Sequence, residues 1–167
     1  RVLFRSHSVL QIVETDMTMF YRLLADFDAR CDVEEDNRSD QDLVAVLVSA
    51  YYESLTETAV AKIAQWLRSY RVRLREDYIL FGDGNEQRKK RMNSINPKYV
   101  LRNYMAQQAI DKATAGDYSE VQTLLKLLQR PYDEQPEYEH YFARRPDWAK
   151  NKAGCSMLSC SRSEERR

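Results

Sequence analysis

The sequence predicts an all-α chain, and three observations carry that expectation. Gly and Pro are scarce, four of each in 167 residues, and all of the Pro fall after residue 96; a turn-rich β fold needs more of both. Between residues 56 and 77, Val60, Ile63, Ala64, Leu67, Tyr70 and Leu74 step by three or four, the period of one helix face. Asn96-Pro97 joins a capping side chain to a residue suited to the first helical turn.

A first helix is expected over residues 15–29, with Met19, Phe20, Leu23, Leu24 and Phe27 on its apolar face. Residues 32–42 are acidic and polar and read as an exposed connection, with Ser39 or Asp40 capping the next element. The apolar run 43–52 suits a helix or a buried strand by length; Val44, Leu47, Val48 and Tyr51 sharing one face favour helix. The long helix of residues 56–77 turns Lys62, Gln65, Arg68, Arg71 and Arg75 to its other faces, and Trp66 lies beside the stripe. Gly82 and Gly84 break the pattern into a loop at 81–86, before a short basic helix at 86–93.

From Pro97, the residues Tyr99, Val100, Asn103, Tyr104, Gln107 and Ile110 recur at helical spacing as far as Gly116. Asp117 and Glu120 have the spacing of a capping box for a last helix through Val121, Leu124, Leu125 and Leu128, ended by Pro131. The short turn at Gly116-Asp117 makes these two helices an antiparallel hairpin. The expected division is a helical region over residues 1–130 and an extended Pro- and Tyr-rich tail over 131–167. No internal repeat is present.

Composition excludes several classes. Twenty-six basic and 26 acidic residues cancel, so nothing global favours a polyanion or an acidic membrane. No apolar run approaches the ~20 residues that cross a bilayer, and residues 1–10 are not a signal peptide. Three Cys in a chain of this size do not form a secreted disulfide framework, which points to a reducing compartment.

Few residues carry chemistry. Cys155 and Cys160 stand in a small, polar segment where a thiol is expected to be accessible. A zinc site from Cys155, Cys160 and His140 lacks a fourth ligand, and Cys31 reads as a packing residue. Phe81-Gly82-Asp83-Gly84 has neither the order of a kinase Asp-Phe-Gly motif nor the spacing of a phosphate loop. Arg88-Lys89-Lys90-Arg91 is the one dense basic run, too short for strong nucleic-acid binding and better read as a solvated helix face. His7 and His140 are isolated, and Glu34-Glu35 and Asp133-Glu134 read as exposed charges.

Three segments in register carry a family resemblance. Asn96-Pro97-Lys98-Tyr99-Val100-Leu101-Arg102-Asn103-Tyr104, then residues 130–138 (R-P-Y-D-E-Q-P-E-Y), then residues 155–161 (C-S-M-L-S-C-S), resemble the C-terminal end of the selenoprotein O family in order and spacing. The resemblance is specific over residues 92–161 and loose over 1–91. It implies a kinase-like protein adenylyltransferase that binds ATP with Mg2+ or Mn2+ and passes AMP to Ser, Thr or Tyr hydroxyls of proteins. Family members are far longer, and their ATP- and metal-binding residues lie upstream of the part that this chain resembles. The opening residue, Arg1 rather than Met, also reads as that of a fragment.

The implied reading is therefore the helical C-terminal portion of such an enzyme, with catalytic, cofactor and metal residues outside the chain, and no activity or nucleotide binding of its own. Its implied partners are the N-terminal kinase-like portion of the same protein and the protein substrates, in bacterial cytoplasm or the mitochondrion. Asn96, Pro97, Tyr99, Arg102, Asn103 and Tyr104 form the structural signature, expected to buttress the catalytic lobe. Cys160 matches the family's terminal Cys-Ser-Ser motif, associated with redox control through a disulfide to the kinase-like core, although Arg162 replaces the terminal Ser. The other class that the residues permit is a stand-alone helical protein-interaction module, with RNA binding through residues 88–91 a weaker third.

Overall fold

Side-chain caps set the first helix starts. Asp16 accepts from the backbone N–H of Met19 at 3.0 Å and opens α1, Met17–Leu24. Its carboxylate also accepts from the Tyr52 hydroxyl at 3.2 Å. The structure, a computed structural model, describes residues 8–152 and residue 155. The chain divides into two compact units, one reaching to Lys98 and the other starting at Tyr99.

In the first unit α1 is shorter than the pattern suggests, yet Phe20, Leu24 and Phe27 are all buried. Ser39 opens α2, Asp40–Val44, through a full capping box: its hydroxyl accepts from the Asp42 N–H at 3.2 Å, and the Asp42 carboxylate accepts from the Ser39 N–H at 3.3 Å. The apolar run then departs from the expected single face. It tightens into a 3-10 helix, Ala45–Ala50, in which Leu47 and Ala50 are buried three residues apart while Val48 is 53 % exposed. Tyr51 leaves this turn in extended geometry and forms an isolated antiparallel bridge with Thr15.

Thr56 caps α3, Glu57–Phe81, where Ile63, Ala64 and Leu67 form the buried stripe. Trp66 stacks on Tyr70 with ring centroids 5.3 Å apart. Arg71, expected on an outer face, is buried instead. Its guanidinium donates to the carbonyls of Val33 at 2.6 Å and Arg30 at 3.1 Å. Gly82 ends α3 with φ +71, the left-handed geometry that a Cβ disfavours. α4, Asn85–Ile95, begins at once, and its Arg88 is buried with donors on the carbonyls of Leu24 and Phe27.

The expected helix start at Asn96-Pro97 is corrected by the structure. Asn96 instead closes α4, its side-chain amide donating to the Met92 carbonyl at 2.9 Å. Its own backbone is extended (φ −99, ψ 110), as the residue before a proline prefers. The next helix, α5, is Asn103–Thr114. Burial explains the delay. In the second unit the Tyr99 ring is 2 % exposed, its N–H donates to Pro131 and its hydroxyl donates to Gln135, geometry that a helix through Tyr99 would break.

α5 packs on α6, Ser119–Gln129, as the expected hairpin, through a turn where Gly116 takes φ +89. The anticipated Asp117–Glu120 capping box is absent. Asp117 accepts from the Ser119 N–H at 2.9 Å in an Asx turn, and Glu120 accepts from Lys112 at 2.8 Å and Tyr141 at 2.6 Å. Residues 131–152 belong to this same unit. They form 3-10 turns at Pro136–Tyr141 and Asp147–Ala149, and Tyr138, Tyr141, Phe142 and Ala149 pack with the hairpin core of Tyr104, Met105, Leu124 and Leu127. Among the described residues the architecture is all-α, and no helix is long and apolar enough to cross a membrane.

Candidate functional site

The signature residues fall in both units. Asn96 and Pro97 belong to the first unit, where they line a shallow groove with Met17, Thr18 and Tyr21. There the backbone carbonyls of Asn93 and Asn96 both accept from the buried Arg22 guanidinium at 3.0 Å. Tyr99 to Tyr104 belong to the second. Gln135 connects the Tyr99 ring to α6: its carbonyl accepts from the Tyr99 hydroxyl at 3.1 Å, while its side-chain amide donates to Leu127 at 3.1 Å and Arg130 at 2.9 Å. Arg102 and Asn103 are half-buried at the start of α5. Tyr104 is buried, edge-on to Trp148 with centroids 6.2 Å apart.

The cysteines differ from expectation. Cys155 is 4 % exposed within the hairpin core, so it is not the accessible thiol that its polar neighbours suggest. Cys155 and Cys31 are both free and buried. Burial raises the Cys31 thiol above the usual range and keeps it protonated. Cys160 and His7 lie outside the described residues. His140 is exposed and rests on the Tyr141 ring, centroids 4.2 Å apart.

The polar clusters are tied up internally. Asp36 receives the Arg38 guanidinium and, at 3.6 Å, that of Arg71, and the hydrogen bond from Arg38 lowers its carboxyl to about 2. Asp28 accepts from Asn85 at 2.7 Å. In the basic run Arg88 faces carbonyls, Lys89 pairs with Asp26 at 2.6 Å and Arg91 pairs with Asp83 at 2.7 Å. Internal partners for three neighbouring cations leave little for a phosphate backbone. The Gly82–Gly84 corner is a helix end and a helix start.

Among the described residues no three His, Cys, Asp or Glu side chains converge as a metal site. What the described residues do assemble is a set of internal hydrogen bonds and ion pairs. Arg22, Arg88, Gln135 and Glu120 are its organising side chains, and sequence reading singles out none of the four for these roles. Gln135 stands out by its place inside the second resembling segment, whereas Arg88 and Glu120 stand out for other roles, in the basic run and the expected capping box.

Comparison with known proteins identifies the scaffold. The family model described as "Protein adenylyltransferase SelO" matches residues 2–129, which takes in the region 1–91 where the resemblance is loose and the first of the three sharp segments. A protein nucleotidyltransferase YdiU of Azoarcus sp. (strain BH72) is 46 % identical over 156 residues, covering 93 % of the chain and 27 % of that relative. Those of Flavobacterium johnsoniae and Rhodopirellula baltica are 47 % and 44 % identical, each over 92 % of the chain. The chain spans little more than a quarter of the length of these curated relatives, 27 % to 29 %. Identity at this level along nearly the whole chain, on an all-α scaffold, establishes that the chain belongs to the SelO family of protein nucleotidyltransferases.

Proposed function

We propose that the chain is the helical C-terminal portion of a protein adenylyltransferase, one that transfers AMP from ATP to Ser, Thr or Tyr hydroxyls of protein substrates. In that transfer a hydroxyl oxygen joins the α-phosphorus, pyrophosphate departs and the hydroxyl proton is released. ATP, Mg2+ or Mn2+ and the reacting groups are held by kinase-like polypeptide outside these residues. The observation that carries the reading is the 46 % identity to a named nucleotidyltransferase across 93 % of the chain. The internal pairing of the chain's own charges supports a scaffolding part within it.

The signature around Tyr99 and Arg102 buttresses the catalytic lobe and does not touch nucleotide. Cys160 supplies a redox latch, forming a disulfide to that lobe with both thiols oxidised and an external oxidant, such as a low-molecular-weight disulfide, reduced. The direct test incubates the longer gene product, and separately residues 1–167, with α-labelled ATP, Mg2+ and candidate proteins. Label on protein is expected with the longer product alone, and micromolar ATP binding by residues 1–167 measured by calorimetry would overturn the assignment. In the longer product, Arg102→Ala is expected to lower the Tm and leave ATP affinity unchanged. Lost affinity at an unchanged Tm would reverse the role given to Arg102.

A further inference from the structure

The buried stripe of α3 outruns the unit that buries it. Ile63, Leu67, Tyr70, Leu74, Tyr78 and Phe81 succeed one another at steps of four and three, so all six share one helix face. Ile63 and Leu67 are fully buried, Tyr70 and Leu74 partly, and then cover is lost: Tyr78 is 36 % and Phe81 71 % exposed. Ile79 and Leu80 beside them are 70 % and 68 % exposed. This is not a frayed end. Gly82 caps it by donating to the Tyr78 carbonyl at 2.8 Å, and Asp83 just beyond is paired with Arg91. Tyr78 and Phe81 prolong the stripe, and Ile79 and Leu80, each turned about 100° further round the helix, flank it. The capped end thus exposes apolar side chains on most of its circumference and marks a contact surface.

We infer that the end of α3, Tyr78 to Phe81, is a docking surface for the polypeptide that relatives carry outside the region they share with this chain. This rests on the reading of the chain as part of a longer enzyme. Two observations choose that occupant. The shared region is 27 % of the Azoarcus relative, so most of such a protein lies beyond it and has to pack somewhere. The patch is also small, four side chains against the roughly 20–30 residues per side of a stable association between separate molecules. A second copy of the chain gains little from so small a contact, whereas a covalently joined partner is already present at high effective concentration.

Hydrogen exchange without nucleotide tests this in the longer gene product and in residues 1–167. Amides of residues 76–82 are expected to exchange about tenfold more slowly in the longer protein, since docking removes local opening. Phe81→Asp is expected to abolish that difference and to lower the Tm of the longer protein by about 2 °C, with the Tm of residues 1–167 unchanged. Equal exchange in the two forms overturns the inference. So does protection in residues 1–167 that grows with concentration alongside a sedimenting dimer, or a gene encoding no further polypeptide. Protection with no transfer of AMP would leave the docking surface standing and remove the proposed activity; transfer without protection would do the opposite.

Discussion

The Tyr141 hydroxyl donates to Glu120 across 2.6 Å, joining the 3-10 turn after Pro136 to the first turn of α6. Lys112 reaches the other carboxylate oxygen at 2.8 Å, so Glu120 accepts from two elements at once with its side chain 15 % exposed. These two donors, Lys112 foremost, hold its carboxyl below the usual glutamate range. Burial, then the bond to Glu120, raises the Tyr141 phenol, which stays protonated at physiological pH.

Stability from this pair depends on pH with a definite sign. A carboxyl depressed in the folded state stabilises fully above its unfolded value, near 4.5, and loses the contribution as pH falls through the folded one. Glu120→Gln is therefore expected to cost about 1 kcal/mol at pH 7, through weakening of a charge-assisted bond. The cost should be smaller at pH 3, below the unfolded value, where the folded carboxyl begins to take up its proton. Thermal melts of both proteins at the two pH values decide it; an equal loss at both would remove the charge from the explanation.

Arg88 holds two carbonyls at once, those of Leu24 and Phe27. Arg88→Met keeps the stem and deletes both bonds. The Leu24 carbonyl still accepts from the Phe27 N–H at 3.2 Å, so the main loss falls at Phe27, where removing a donor from a buried acceptor costs about 1–3 kcal/mol. The urea midpoint should fall accordingly. Arg88→Lys, whose compact ammonium lacks the guanidinium fork, should not restore it. Full restoration by lysine would mean that charge alone matters at this position.

Gly116 and Gly84 separate backbone strain from crowding. A Cβ at either meets nothing closer than 3.4 Å, yet Gly116 has φ +89 and Gly84 an ordinary negative φ of −72. Gly116→Ala should destabilise by about 1 kcal/mol. Gly84→Ala should cost less, because its φ suits any residue and restriction of the unfolded chain offsets part of the poorer N-cap that Ala makes for α4. Similar denaturation curves for the two variants would contradict this.

Thiol labelling can be predicted from burial. Cys31 is 9 % and Cys155 4 % exposed. Both are expected to alkylate with iodoacetamide at least about tenfold more slowly in native buffer than in urea, because access requires local opening. Mass mapping of modified peptides at short times gives the comparison. Native labelling of Cys155 at the denatured rate would show that its burial is not maintained in solution.

How much of the fold is legible in the sequence depends on the range of each interaction. The α3 stripe and the Ser39 cap are legible because their partners lie within a few residues. Arg71 and Arg88 are not, because the carbonyls that accept from them lie about 40 and 60 positions away, at Val33 and Phe27. Asn96-Pro97 misleads for a different reason. The same residue types punctuate both ends of helices, and the burial of Tyr99 against Gln135 chooses between them. The cysteine segment suggests exposure by its local polarity, but the cover over Cys155 comes from the α5–α6 core.

Arg71 and Arg88 hold the stretch from the end of α1 towards α2 largely by its main chain, at Leu24, Phe27, Arg30 and Val33, with the Asp36 carboxylate the side chain that Arg71 also meets. Carbonyl oxygens are the same whatever residue bears them. At its exposed positions, such as Arg30 and Val33, the path of that stretch is thus insured against mutation, whereas buried Phe27 and ion-paired Asp36 keep their own constraints. A change at either guanidinium, by contrast, would loosen the whole span at once.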